Sequence, residues 1–248
     1  MMTARKALAL VLPVLLLATA GPTVSSEAAS GKRAVVESRV IGHTVKSRGI
    51  VAWRVGQPSA RRKVVVFAAM HGNETGPSRI LKSLLNGKRI RNVDMWLIPQ
   101  YNRDGVIRHT RQNAHGVDLN RNFTWHWQRQ GGSTNSGPRP ASEPETKAVM
   151  AFLRKIRPAY VVSFHQPLNG VGRAGSKGAS FVRKLHRGLR LPVKSFNCSG
   201  RCHGTMTEWF NASFRGVAVT VEYGRSVSRR QATRTGPNGL LRAVGARR

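Results

Sequence analysis

The chain has 248 residues, and 42 Lys and Arg stand against 10 Asp and Glu for a formal net charge of +32. That length suits one domain with a full hydrophobic core, and no internal repeat or long low-complexity linker divides it. A charge of this size implies salt-sensitive adhesion to polyanions. No basic helix with base-reading spacing and no run of stacking aromatics accompanies it, which argues against a specific nucleic-acid reader.

In chain order, Arg5 and Lys6 precede an apolar stretch from Ala7 to Leu17, followed by Ala18-Thr19-Ala20. This is the pattern of a secretory signal peptide over residues 1–20, with cleavage after Ala20 or, as a second choice, near Ala28 or Ala29. An uncleaved anchor is the competing reading, but the stretch is short for a membrane span and Pro13 interrupts it. Residues 21–32 read as a flexible leader and residues 33–248 as the folded domain, with no transmembrane span once the signal is removed. The expected location is therefore secreted or cell-wall associated. A wall rich in carboxylates and phosphodiesters is the natural partner for so basic a surface. An Arg-rich composition inherited from the genome explains the same charge.

The strands predicted are Ile50 to Val55, Lys63 to Ala69, Val93 to Pro99, Tyr160 to Phe164 and Val217 to Val221. The helices predicted are Pro77 to Leu85, Glu143 to Ile156, Ser180 to Leu189 and Thr205 to Phe210. Glu143-Pro144-Glu145 is a helix start signal, and Gly131 to Pro138 reads as a surface loop. Such alternation predicts an α/β fold, a three-layer sandwich with a mixed, mostly parallel central sheet flanked by helices.

Three of these strands end in chemistry. Lys63 to Ala69 leads to His71-Gly72-Asn73-Glu74, Tyr160 to Phe164 ends at His165, and Val217 to Val221 ends at Glu222. Open α/β sheets collect their sites at the carboxyl ends of strands, so these four groups are expected to converge. A hydrolytic zinc needs three N, O or S ligands and one open position. Glu222 extends an apolar strand, where an isolated carboxylate is costly to bury. Beside a metal it becomes a general base; taken alone it reads as a strand-end Glu paired with an Arg. Between these strands lies Gly116-Val117-Asp118-Leu119-Asn120-Arg121-Asn122-Phe123, preceded by Asn102-Arg103-Asp104-Gly105 and Arg111-Gln112-Asn113. Arg121 can clamp a carboxylate through two parallel hydrogen bonds, and Asp118 suits the second nitrogen of a zinc-bound imidazole.

From about Val64 to Gly224 the ordered set of motifs resembles the zinc carboxypeptidase family of the carboxypeptidase A type. The short length and the His-Gly-Asn-Glu form make it most similar to the compact bacterial branch that includes the murein peptide amidases. The resemblance implies one Zn2+ per chain on His71, Glu74 and His165, with Glu222 as catalytic base. It further implies Arg111 as the cation that steadies the oxyanion, and Asn120 with Arg121 as the grip on a free substrate carboxylate. Asp118 is implied as the partner of His71. The expected activity is hydrolysis of an amide next to a free carboxylate, of the γ-D-glutamyl–diaminopimelate type in peptidoglycan stem peptides. The alternatives are an exported carboxypeptidase acting on ordinary peptides, and a non-catalytic wall-binding protein that keeps the fold. A monomer is expected.

The chain also departs from the digestive members of the family. They place an Arg between the metal His and Glu, where Gly72 and Asn73 stand here. They carry a mobile Tyr before the catalytic Glu, whereas residues 175–221 contain none. The pocket for the residue beyond the cut is expected from the segment between Gly170 and Met206. Cys198 and Cys202 read as a local disulfide in an oxidising compartment, with a metal site as the lesser reading. His115 is read either as lining the cleft or as a surface group. Trp125 and Trp127 are read either as a stacking rim of the cleft or as partly buried packing.

Overall fold

The structure is a computed structural model describing residues 34–196, 200 and 202–248. The expected signal and leader over residues 1–32, the domain's first residue at position 33, and Cys198 lie outside the described residues. The sheet has eight strands: β1 (Val35–His43), β2 (Gly49–Gly56), β3 (Lys63–Ala68), β4 (Asp94–Ile98), β5 (Tyr160–His165), β6 (Gly170–Gly172), β7 (Val193–Lys194) and β8 (Val217–Glu222). Their order is β1-β2-β4-β3-β5-β8-β6-β7. The central four, β4-β3-β5-β8, run parallel, while β1 and β2 on one side and β6 on the other add antiparallel pairings. This is the mixed, mostly parallel sheet expected from the alternation of elements.

A parallel strand covered on both faces must be apolar at nearly every position. β3 buries every residue after Lys63, and β4 buries all five of its residues. Alternate residues then feed two separate cores. Val64 and Val66 pack on one face under the helices α1 (Ser78–Leu85), α4 (Gly175–Leu189) and α6 (Gly236–Val244). Val65 and Phe67 pack on the other face under α3 (Pro144–Ile156) and α5 (Met206–Ser213). No helix among the described residues is long and apolar enough to cross a membrane.

The five predicted strands, β2, β3, β4, β5 and β8, and the four predicted helices, α1, α3, α4 and α5, lie where the sequence places them. β1 was not anticipated, because its alternation of Val with Glu37 and Arg39 gives a mostly exposed edge. β6 and β7 span three and two residues, too short for any periodicity to register. α4 begins at Gly175 rather than Ser180, its first turn weakened by Gly175 and Gly178, and α5 continues to Ser213.

One short helix, α2 (Arg103–Arg108), explains the Asn-Arg-Asp-Gly motif. The Asn102 side chain accepts from Gly105 N at 2.9 Å and caps the helix. It also donates to the Arg111 carbonyl, tying down the loop that leads to the site. Asp104 reaches instead to the β1–β2 turn, accepting from Lys46 N at 2.9 Å and Arg48 Nη1 at 2.6 Å. Burial opposes its charge, but these bonds hold its carboxyl below the usual range. A depressed folded-state pKa gives stability that is present above the unfolded value near 3.9 and lost as pH falls through the folded one. Asp104→Asn should therefore lower unfolding free energy at pH 7 by about 1–3 kcal/mol. In acid titrations followed by denaturant melts, the gap from the parent protein should close below pH ~4.

Candidate active site

β5 and β8 are in parallel register with His165 opposite Glu222, so this imidazole and carboxylate leave the sheet side by side. β3 ends at Ala68, opposite Phe164. Beyond it Ala69 adopts a left-handed backbone with φ 54°, a conformation that costs a non-glycine residue about 1–2 kcal/mol. It is pinned there by Tyr101 N on Ala68 O and Asn102 N on Ala69 O. The turn swings His71 and Glu74 over the carboxyl edge of the sheet. Gly72 is required at the crossing, since a Cβ there would lie 2.0 Å from the carbonyl carbon of Gly105.

His71, Glu74 and His165 are buried, and one ligand atom from each lies within 4.8 Å of the others. The two Nδ1 atoms are 3.2 Å apart, and the Glu74 carboxylate spans them at 2.8 and 3.0 Å. Each outward Nε2 is already engaged, His71 with Asp118 Oδ1 at 3.0 Å and His165 with Ser163 Oγ at 2.8 Å. An imidazole that donates from Nε2 presents its lone pair at Nδ1. Two such lone pairs and a carboxylate facing one point are a nitrogen and oxygen donor set of the zinc type. The field agrees with that reading. Burial lowers the pKa of His71, yet Glu74 and Asp118 outweigh it and raise the imidazole to about 9. A pocket that holds a proton on a buried imidazole also favours a cation at the same place.

Asp118 is fully buried, and its two oxygens carry most of this wiring. Oδ1 takes His71 and the Asn120 amide, while Oδ2 takes Arg111 Nε and Nη2 at 3.0 and 2.8 Å. Burial pushes its carboxyl up, but His71 and Arg111 hold it below the usual range. Arg111 Nη1 also reaches Glu74 Oε1 at 3.3 Å, so this guanidinium lies directly against the ligand trio. Arg121 is 4% exposed, donates to the Asn120 carbonyl at 2.8 Å and lines the cavity. The Asn120 amide oxygen accepts from Met206 N at the start of α5. Glu222 lines the same cavity and accepts from Leu168 N. Burial and the Glu74 charge push its carboxyl above the usual range, against the pull of His165.

The cavity measures about 590 Å³. The segment expected to form its specificity wall supplies Arg173, Ser195, Phe196 and Thr205, with Cys202 also on the wall. The wall extends further than expected, through Thr207, Glu208 and Asn211 of α5 and down β8 to Ala218. Ser133 and Thr134 of the glycine-rich loop close another side. His115 does not line the cavity; it pairs with Glu143 at 2.8 Å and is largely exposed. Trp125 and Trp127 are not on the lining either: Trp125 stacks on His126, and Trp127 donates to the Ser136 carbonyl.

Two contributors escaped the sequence. Ser163 stands two residues before His165 in a strand, hence on the same face, a signal that was legible. Gln166 holds three loops together: its amide oxygen accepts from Gly76 N, its Nε2 donates to the Gly224 and Arg225 carbonyls, and its backbone N donates to Glu74 Oε2. Nothing in its local sequence distinguishes it.

The architecture and the sequence have counterparts among known proteins. The structure of murein-tripeptide amidase from Escherichia coli O157 superposes with a TM-score of 0.67 at 25% identity, covering 83% of this chain and 91% of that one. Carboxypeptidase A from Helicoverpa armigera, at 18% identity and a TM-score of 0.72, shares the fold over 86% of this chain and 68% of its own. In sequence, murein peptide amidase A of Escherichia coli K12 is 33% identical over 134 residues, 47% of this chain and 54% of that protein. Carboxypeptidase O of Bos taurus is 31% identical over 153 residues, 48% of this chain and 41% of its own. The chain thus spans about half the length of the curated relatives it matches. Residues 26–169 match the family described as zinc carboxypeptidase. That match covers more than half of the sequence and includes the whole ligand trio, and the chain belongs to the zinc carboxypeptidase family.

Proposed function

We propose that this chain is an exported zinc peptidase that cuts the amide next to a free carboxylate in peptidoglycan stem peptides, the γ-D-glutamyl–diaminopimelate bond. The observation that carries the anionic substrate is Arg121, a nearly buried guanidinium on the cavity wall beside the ligand trio. A guanidinium on a cavity wall presents a planar donor fork that a free carboxylate can engage through two parallel hydrogen bonds. The choice of a muropeptide is supported by the likeness to the murein peptide amidases in both sequence and structure.

Zinc bound by His71, Glu74 and His165 supplies Lewis acidity and lowers the pKa of a bound water. Glu222, with a carboxyl raised by burial, takes the proton of the attacking water and returns it to the departing amine. Arg111, lying against the trio, stabilises the developing oxyanion. Arg121 and Asn120 fix the carboxylate on the leaving side and so set the position of the cut. Asp118 keeps His71 in one tautomer and Arg111 in one orientation.

The +32 charge concentrates such an enzyme on anionic wall polymers by long-range attraction. The second reading, a carboxypeptidase of ordinary peptides, is favoured by the likeness to carboxypeptidase O. Incubation of the zinc-loaded protein with the tripeptide L-Ala-γ-D-Glu-meso-diaminopimelate and with α-linked acyl-dipeptides decides between the two. Preferential release of diaminopimelate is the expected result, and exclusive cleavage of the dipeptides supports the second reading. Failure to cleave either supports a non-catalytic wall-binding role.

A further inference from the structure

The charge of the chain is not spread evenly over the two faces of its sheet. Residues 75–93, 146–207 and 223–248 contain no Asp or Glu, and they supply all three helices of one layer, α1, α4 and α6. These three form one continuous surface. A Cβ at Gly239 of α6 would lie 2.1 Å from the carbonyl oxygen of Gly188 in α4, and one at Gly236 would lie 2.9 Å from Ile80 Cδ1 in α1. α4 buries Phe181, Val182, Leu185 and Leu189 and leaves Arg183, Lys184, Arg187 and its C-cap Arg190 exposed. Arg183, Arg187 and Arg190 stand at i, i+4 and i+7, a stripe with one cation about every 5 Å along the axis. Arg242 of α6 and Arg79 and Lys82 of α1, all exposed, continue the field across the layer.

The acids lie elsewhere. Glu37 and Asp94 pair with Arg54, whose guanidinium lies over Trp96 of the opposite core. Glu74, Glu208 and Glu222 line the cavity, Asp118 supports His71, and Asp104 holds Arg48. Glu143 and Glu145 are buried at the start of α3. Among the described residues no Arg or Lys of α1, α4 or α6 therefore makes an ion pair. An Arg-rich composition alone raises the number of cations; it does not keep the acids off one whole layer. None of the exposed large apolar side chains among the described residues lies on these helices either. The layer thus lacks the aromatic platforms on which single-stranded nucleic acid stacks and the apolar face that an interfacial helix buries in a membrane.

We propose that the layer formed by α1, α6 and α4 is a docking face for a flexible polyanion with repeating phosphodiesters, of the kind attached to a bacterial cell wall. Closely spaced exposed cations can each meet a phosphate, and release of the polymer's counterions drives the contact. The inference deepens the proposed wall-acting function and rests on it for the identity of the polymer. None of these cations lines the cavity that holds the ligand trio, so the polymer and a substrate occupy different surfaces.

The test measures co-sedimentation of the full chain with cell-wall sacculi that carry phosphodiester polymers, and with the same sacculi after hydrofluoric acid, which cleaves phosphodiesters. Arg183→Gln, Lys184→Gln, Arg187→Gln and Arg190→Gln together remove four charges from the layer. Lys46→Gln, Lys147→Gln, Lys155→Gln and Arg157→Gln remove four exposed charges from α3, its C-cap and the β1–β2 turn. The first set should weaken binding to untreated sacculi about 10–100-fold at low salt, and lower the slope of log affinity against log salt by about 3. The second set should change both far less, and the first should still cut soluble L-Ala-γ-D-Glu-meso-diaminopimelate at the parental rate. Should the fourfold variant fail to fold, Arg187→Gln alone should lower the slope by about 0.7. Equal losses from the two sets mean that only net charge is read and overturn the assignment, as does undiminished binding to treated sacculi. Tighter binding to duplex DNA than to poly(glycerol phosphate) at equal phosphate gives the face to nucleic acid and overturns the wall partner. If no form cuts the tripeptide, the proposed function fails, while the comparison of the two sets still decides the docking face.

Discussion

Glu222→Gln should lower kcat/KM by about 10³-fold or more while the protein still binds one zinc per chain. The substitution keeps the shape of the side chain, and its amide oxygen can still accept from Leu168 N as Glu222 does. It removes only the ability to take and return a proton. The side chain is not among the ligand trio, so metal content measured by elemental analysis should not change. Stability gives an independent check. Burial raises the carboxyl of Glu222, so the folded protein binds its proton more readily than the unfolded chain and stability from this group falls as pH rises. At neutral pH the zinc-free Gln variant should melt at the same temperature as its parent or higher. A variant within tenfold of parental activity would remove Glu222 from the base role. One that loses zinc would show that it supports the metal instead.

The parts of the site legible in the sequence are those fixed by buried parallel strands. β3, β5 and β8 are apolar along nearly their whole length, so a His or Glu at the end of such a run can only emerge at one sheet edge. The central motif and the residues just before it were legible for another reason, since their polar side chains each tie two or more partners together. Asn113 binds Glu143 and Glu145, and Asn122 accepts from Glu143 N and donates to Ser136 O. Asp118 serves His71 and Arg111. The outer wall of the cavity was not legible. Arg173 follows a three-residue strand, and Glu208 stands in the first turn of a helix, where an acid is ordinary capping chemistry. Only the packing of β6, β8 and α5 brings both onto one cavity lining, and packing between distant segments leaves no periodic trace in the chain. Gly204 is a similar case. It has φ +63° and a Cβ there would lie 2.5 Å from Arg121 O, a constraint visible only once the segment before α5 is packed on the Arg121 turn.

Chelation should abolish hydrolysis completely and leave the fold intact, and added zinc should restore both activity and a higher melting temperature. The reason lies in how the trio is held. Without a cation Glu74 is still satisfied by both imidazoles, Arg111 and the Gln166 amide. The two cores that flank the sheet do not depend on it. Far-ultraviolet circular dichroism should therefore survive metal removal, unlike in domains whose fold is made by zinc. Zinc at about 1,000 times its Kd should add about 4 kcal/mol to unfolding free energy. Asp118→Asn separates orientation from ligation. The new amide oxygen can still accept from His71 Nε2, but its nitrogen then faces the donor fork of Arg111, which now meets Asp118 Oδ2. Zinc affinity should fall about 10–100-fold, and excess zinc should recover part of the lost activity, the remainder reporting the freed Arg111. Turnover that persists in metal-free protein would refute zinc-dependent hydrolysis at this site, whatever the geometry of its ligands.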